Sequence, residues 1–159
     1  MITPVDYKTA VLLKEKGFDL PCRGRIHCSH FHLVKNNIIP KNVPTYFNDL
    51  FAPIRDWNNT NHADPNDKNG TLTGLYLSLP TIAETIMWIY DKHQIWVEVS
   101  LIDNSRHFYF DYTIITSKDR DFNDEDCFDS AKRIYDKDKH NSPTEAYMAA
   151  INYTLNKLI

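Results

Sequence analysis

Histidine and cysteine residues cluster in the first third of this 159-residue chain. Cys28, His30 and His32 alternate along the sequence, so on one extended strand their side chains would lie on the same face. A thiolate and two imidazoles can bind zinc, with a fourth ligand such as His62 or Cys127. Two interpretations remain open: a zinc-binding protein or zinc-dependent enzyme that uses this cluster, or solvated histidines beside a buried cysteine, with no cofactor.

The sequence lacks the usual motifs of nucleophilic catalysis and phosphate binding. Neither G-x-S-x-G nor G-x-x-x-x-G-K-[ST] occurs, and the chain has only four glycines. The acidic stretch 119–129 begins like an EF-hand calcium loop, but Asp124 stands where that loop needs glycine and Ser130 where it needs glutamate. These absences favour a non-enzymatic role.

Three segments carry the residue types that begin α-helices. Thr3–Asp6 and Ser142–Glu145 each combine an N-cap hydroxyl, a proline at the first helical position and an acid three residues after the cap. Thr81 and Glu84 have the same capping-box spacing. The sequence therefore predicts three helices, the first of which runs from the Thr3 cap to a stop at Gly17.

The middle helix contains a tryptophan that lies outside its apolar stripe. Ile82, Ile86, Ile89 and Tyr90 recur at the spacing of a core-facing stripe. At about 100° per residue, Trp88 falls on the polar side of the same helix. An indole in that position is either exposed for a partner or covered by a long loop, so Trp88 is a candidate for partner binding.

Two segments between the second and third helices alternate apolar and polar residues, which is the pattern of β-strands. They are residues 95–102 and 107–114. A two-residue turn at Asp103–Asn104 would join them as an antiparallel hairpin and would pair Glu98 with Tyr109. This register also separates the apolar face of the hairpin from its polar face.

The polar face of this hairpin would combine aromatic and hydrogen-bonding side chains. Its members are Trp96, Glu98, Ser100, His107, Tyr109 and Asp111. Trp and Tyr anchor protein interfaces, while polar groups fix their orientation. The same face would also suit a small polar ligand, and a helix or loop covering it would make Trp96 a core residue. We predict that it binds a protein partner together with Trp88.

Two other segments complete the predicted fold. Arg25–Val34 is rich in β-formers and is a candidate third strand, whereas residues 53–73 are rich in Asn, Asp, Pro and Gly and predict an exposed, mobile loop. We therefore expect an α+β fold in which an antiparallel hairpin, three-stranded if Arg25–Val34 joins it, packs with three amphipathic helices. The length predicts one domain over residues 1–159.

Composition narrows the range of partners and compartments. The net charge of −3 gives no reason to expect general affinity for nucleic acids or anionic membranes. Arg23, Arg25, Lys35 and Lys41 form a local basic strip that keeps a nucleic-acid role as a lesser alternative. The opening residues lack a signal-peptide pattern, and no apolar run is long enough to span a bilayer. The chain has three cysteines, an odd number without close pairing, which suits a reducing compartment better than a disulfide scaffold. We expect a cytoplasmic protein.

Three stretches resemble a family of small uncharacterised proteins encoded by phages and prophages of Bacteroides and related bacteria. They are the opening Tyr7–Asp19, Pro80-Thr81 with Trp88 and Lys92–Ile95, and the terminal Pro143–Ala146 with Leu155–Ile159. The resemblance implies a phage or prophage origin and a location in the cytoplasm of a bacterial host. It brings no catalytic residues with it. We therefore expect an accessory protein that binds a host protein, a phage protein or a second copy of itself.

Overall fold

The computed structural model describes the backbone of a defined set of residues: 3–28, 31–34, 37–40, 45–47, 54, 57–59, 62–63, 72–103, 107–116, 132–136 and 138–159. Side-chain surroundings are described for residues 3–26, 54, 57–58, 76–103, 107–116, 132–136 and 138–159. The chain divides into two compact units, residues 4–81 and residues 82–159 with 1–3. Helices and antiparallel strands occur in both, so the α+β class is confirmed. The single domain remains a prediction.

The unit formed by residues 4–81 is built around an antiparallel sheet. Its elements are α1 (Tyr7–Glu15), β1 (Gly24–Cys28), β2 (Phe31–Val34), β3 (Asn37–Pro40), β4 (Thr45–Phe47), a 3-10 helix (Trp57–Asn59), β5 (His62–Ala63) and β6 (Leu72–Leu79). The sheet has the order β4-β1-β6-β5, and β2 pairs separately with β3. Because α1 packs against β6, Leu13 joins Ile26 and Leu77 in a fully buried core.

Helix α1 begins later than its predicted N-cap. The cap is Asp6, whose Oδ1 accepts a hydrogen bond from the Thr9 N–H at 2.8 Å. Pro4 instead forms an antiparallel bridge with Thr81, and the Val5 N–H donates to the Pro80 carbonyl at 3.0 Å. This bridge holds Pro4 and Val5 in an extended pairing with residues 80–81, so Thr3 does not cap the helix. The predicted stop at Gly17 is confirmed by its φ of +80°.

Part of the predicted exposed, mobile loop at residues 53–73 is anchored in the core, so the expectation of an exposed loop is wrong for that part. Trp57 is 4% exposed, and Arg25 lies over its ring at 4.5 Å from the ring centroid. The Asn58 side chain donates to the Phe18 carbonyl and accepts from the Ser78 N–H, both at 2.9 Å. The other residues of this stretch, apart from Ile54, 57–59, 62–63 and 72–73, lie outside those described.

The unit formed by residues 82–159 contains the hairpin. Its elements are α2 (Ile82–His93), β7 (Ile95–Asp103), β8 (Phe108–Thr116), β9 (Lys132–Tyr135) and α3 (Pro143–Lys157). The antiparallel sheet has the order β7-β8-β9, with α3 packed against β7 and β8 and α2 packed against β7. The predicted cap of α3 is confirmed, because Ser142 Oγ accepts from the Glu145 N–H at 3.2 Å.

The sheet has three strands, but its third strand is not the predicted Arg25–Val34. That segment splits into β1 and β2, which belong to different sheets, and β9 pairs with β8 instead. In β1, Ile26 is buried in the core beside β6. Because β1 pairs with β4 on one side and with β6 on the other, neither of its edges is available to the hairpin.

A single residue, Gln94, connects α2 to β7. Its φ of +55° is in the left-handed region that few side chains adopt, and its N–H donates to the Tyr90 carbonyl at 2.8 Å. Its side-chain amide donates to the same carbonyl at 3.2 Å. Gln94 therefore ends the helix and starts the strand within one residue.

Candidate partner-binding face

The pairing of β7 with β8 brings most of the predicted partner-binding residues to one face of the sheet. Glu98 lies opposite Thr113, Ser100 opposite Asp111, and Ile102 opposite Tyr109. Because side chains alternate between the two faces of a strand, these residues and Trp96 share one face. We call this surface the open face. His107 is exposed and precedes the first residue of β8, so it lies beside this face rather than within the strand pairing.

The register of this hairpin differs from the prediction by four residues. Val97 pairs with Ile114 rather than with Phe110, and Asp103 pairs with Phe108, so the connection lies two residues later than Asp103–Asn104. A shift by an even number leaves every side chain on its predicted face, which is why the face is as expected while the pairs are wrong. The observed register places the buried Val97 and Ile114 together, away from Phe108, which is 71% exposed.

Helices cover the opposite face of the same sheet. Ile95, Val97, Tyr112 and Ile114 alternate with the open-face residues and are at most 7% exposed, under α3. This cover ends before the distal end of the hairpin, where Leu101 is 55% exposed. The open face therefore lies on the side away from the core.

Trp88 does not belong to the open face, and its predicted position on a polar helix side is wrong. Its side chain is 1% exposed and meets the His93 ring edge-on at 5.1 Å. Tyr90, which the sequence pattern placed in the core, is 41% exposed. The buried side of α2 instead follows Ile82, Thr85, Trp88 and Ile89, because rotating the helix buries the larger and more apolar of its two aromatic rings.

An exposed aromatic pair forms where α2 meets β7. The rings of Tyr90 and Trp96 lie 5.6 Å apart, with an angle of 86° between their planes. Trp96 is 44% exposed, and the neighbouring Met87 on α2 is 48% exposed. Aromatic residues and methionine are enriched at protein interfaces, and the edge-to-face contact restrains both rings before any partner arrives.

Strand β9 extends the open face with residues that sequence reasoning missed. Tyr135 lies opposite Thr113, and Arg133 opposite Ile115, so both share the face. Tyr135 is 64% exposed. The Lys139 ammonium lies 4.6 Å from the centroid of the Tyr109 ring. The short and charged sequence of β9 gives too weak an alternation to be recognised as a strand.

Charges on the open face are sorted across the strands. Glu98 on β7 and Asp111 on β8 are acidic, whereas Arg133 on β9 and Lys139 just after it are basic. A partner surface with the opposite order of charges would therefore bind in one preferred orientation.

Polar residues after β9 close the outer side of β8. His140 Nε2 lies 2.6 Å from Asp136 Oδ2, and the His140 ring stacks on Tyr112 at 6.0 Å. The His140 backbone pairs with Phe110 in both directions. Burial of the Tyr112 phenol, with a smaller contribution from the negative charge of Asp136, raises its pKa to about 12. These contacts hold the segment after β9 against the sheet.

The predicted zinc ligands are not brought onto one strand. β1 ends at Cys28, while His32 lies on β2 in another sheet, which removes the single-strand geometry on which the cluster was based. His30 and the side chains of Cys28 and His32 lie outside the described residues. Among the side chains that are described, no group of three His, Cys, Asp or Glu residues could hold a metal ion. The zinc site stays a prediction.

Comparison of the chain with protein-family models, with curated proteins and with solved structures gives no match. None of the helices in the described part of the chain is long and apolar enough to cross a membrane.

Proposed function

We propose that this chain is a non-enzymatic protein-interaction module that binds a protein partner through its open face. The observation that carries the proposal is the Tyr90–Trp96 pair, two aromatic rings in edge-to-face contact that are both more than two-fifths exposed. Burying such rings at an interface releases water from a large apolar area at a low cost in side-chain entropy.

The polar groups around the aromatic pair support protein recognition over a small ligand. The face extends over three strands, from Trp96 on β7 to Tyr135 on β9, and its acidic and basic groups are on opposite sides. A surface that extends over three strands fits another protein surface, whereas small ligands are bound in concave pockets. The resemblance to phage and prophage proteins supports a partner in a bacterial host cell.

The test is partner capture with matched variants of the full chain. Immobilised wild-type protein, Trp96→Ala and Phe108→Ala are incubated with lysate of a Bacteroides host, and bound proteins are identified by mass spectrometry. Phe108 is an exposed aromatic residue on the other face of the sheet, so its variant controls for non-specific apolar binding. Circular dichroism confirms that all three chains are folded.

We expect a partner that binds the wild type and Phe108→Ala but is lost with Trp96→Ala. Removing a central interface tryptophan costs about 2 kcal/mol or more, which weakens binding by about thirtyfold. Capture of the same proteins in the same amounts by all three chains, with no change in self-association, would contradict the proposal.

A further inference from the structure

Strand β7 is a long sheet edge with few protective features. Its nine residues pair with β8 on one side, and no strand in the described part of the chain pairs with its other side. Natural edge strands are usually kept from pairing with other molecules by charged side chains, proline, bulges, short length or a covering helix or loop. The sequence of β7, IWVEVSLID, has no lysine, proline or glycine, and its pairing with β8 runs without a register shift. Its charged residues are Glu98 and Asp103, and α2, which packs against β7, is joined to it at the Ile95 end.

The other side of the hairpin is closed. β8 pairs with β9 from Thr113 to Thr116, and beyond that the Asp136 N–H donates to the Tyr112 carbonyl while His140 pairs with Phe110. The outer strand there, β9, has only four residues. Among the described residues of this sheet, β7 is therefore the longer of the two outer strands.

The sequence of β7 is complementary to itself in one antiparallel register. With Val99 on a two-fold axis, Val97 would lie opposite Leu101 of the second copy and Trp96 opposite its Ile102. Glu98 would lie opposite Ser100, so no like charges meet. An axis at Glu98 would instead place two carboxylates opposite each other.

We propose that β7 pairs antiparallel with β7 of a second copy of this chain, about an axis at Val99, to form a continuous six-stranded sheet. This pairing covers the side of β7 that pairs with no strand of the described residues, and it brings Leu101, which is 55% exposed in one chain, beside Val97 of the other. It goes beyond the proposed function because it concerns the edge of the sheet rather than the open face.

The test is the oligomeric state of full-length charge variants, measured by sedimentation velocity over a concentration series. Ser100→Glu places a carboxylate opposite Glu98 of the second copy at two symmetric positions. The double variant Ser100→Glu/Glu98→Lys turns both contacts into attractive pairs. In both variants the carboxylate introduced at position 100 lies opposite Asp111 of the same chain. The repulsion within the chain is therefore the same in both, and a difference between them reports the contact with the second copy.

We expect a wild-type dimer, a dissociation constant raised about tenfold by Ser100→Glu, and recovery of the dimer in the double variant. A wild type that is monomeric at every concentration, or a dimer insensitive to Ser100→Glu, would overturn the edge pairing. The two proposals fail separately. A monomer that captures a partner through Trp96 overturns only the edge pairing. A dimer that captures nothing, and whose self-association is the same in Trp96→Ala, overturns only the open-face function.

Discussion

The indole Nε1 of Trp57 donates a hydrogen bond to the backbone carbonyl of Cys22, 2.9 Å away and 35 residues earlier in the chain. The same ring packs near Tyr76, with 5.8 Å between the ring centroids. Trp57 thus attaches part of the polar stretch 53–73 to the rest of the unit of residues 4–81. This attachment makes Trp57 a determinant of stability.

Replacing Trp57 with Phe keeps an aromatic ring but removes the donor to the Cys22 carbonyl. We expect the free energy of unfolding to fall by about 1–3 kcal/mol, because the buried Cys22 carbonyl loses this hydrogen bond. Trp96→Phe, at a 44% exposed position, should change it by less than about 0.5 kcal/mol. Urea unfolding followed by circular dichroism measures both, and equal losses would contradict the prediction.

Asn58 connects two backbone groups from different elements, the Phe18 carbonyl and the Ser78 N–H. Asn58→Ala leaves both without this partner, so we expect a loss of about 2–3 kcal/mol in unfolding free energy. The control is Asn156→Ala, since the Asn156 amide donates to the Asn152 carbonyl on an exposed helix surface. Similar urea midpoints for the two variants would show that the Asn58 contacts do not stabilise the unit.

Two glycines are expected to resist substitution for different reasons. A Cβ on Gly24 would lie 2.3 Å from the backbone oxygen of Leu79, its partner in the β1–β6 ladder, so Gly24→Ala should cost about 3 kcal/mol. At Gly17 the Cβ meets nothing within 4 Å, but φ is +80°, so Gly17→Ala should cost about 1 kcal/mol. Thermal unfolding of both variants should rank Gly24→Ala as the less stable; the reverse order would argue against a steric cause.

The Tyr112 phenol should make stability fall at alkaline pH. Its folded-state pKa is raised from 10.0 to about 12, chiefly by burial, so the neutral phenol is favoured in the folded chain. The contribution of this pKa shift to the free energy of unfolding is complete below pH 10 and is lost as the pH rises towards about 12. Urea midpoints across that range should fall less steeply for Tyr112→Phe than for the wild type. Tyr135→Phe removes an exposed phenol and serves as the control. If the urea midpoint of Tyr112→Phe falls with pH as steeply as that of the wild type, the loss of stability does not come from the Tyr112 phenol.

The helices were predictable from their ends, because capping is a local interaction. Ser142 and Gly17 have the predicted roles. Thr3 does not, because pairing of its neighbours with residues 80–81 competes with helix formation and is invisible in a local pattern. Tertiary contacts therefore set the start of α1, while its stop follows from the sequence.

The faces of the hairpin were predictable, but its pairs and one helix face were not. Alternation distinguishes the two sides of a strand and is unchanged by a shift of four residues, so it cannot choose between Val97–Phe110 and Val97–Ile114. In α2 the apolar residues are compatible with two rotations of the helix, and only packing selects Trp88 over Tyr90 for the core. The candidate face was therefore predicted on β7 and β8, but its contributions from α2 and β9 were not.

The one-residue connection at Gln94 has a consequence for how this protein can evolve. Because one residue joins α2 to β7, the end of the helix fixes which side chains of the strand face the core. Inserting or deleting one residue there would exchange the two sides of β7 and turn Trp96 inward and Val97 outward. Length changes at this junction should be eliminated by selection, whereas substitutions on the open face leave the fold intact. α2 and β7 are therefore expected to be inherited as one block, while the chemistry of the surface diverges around them.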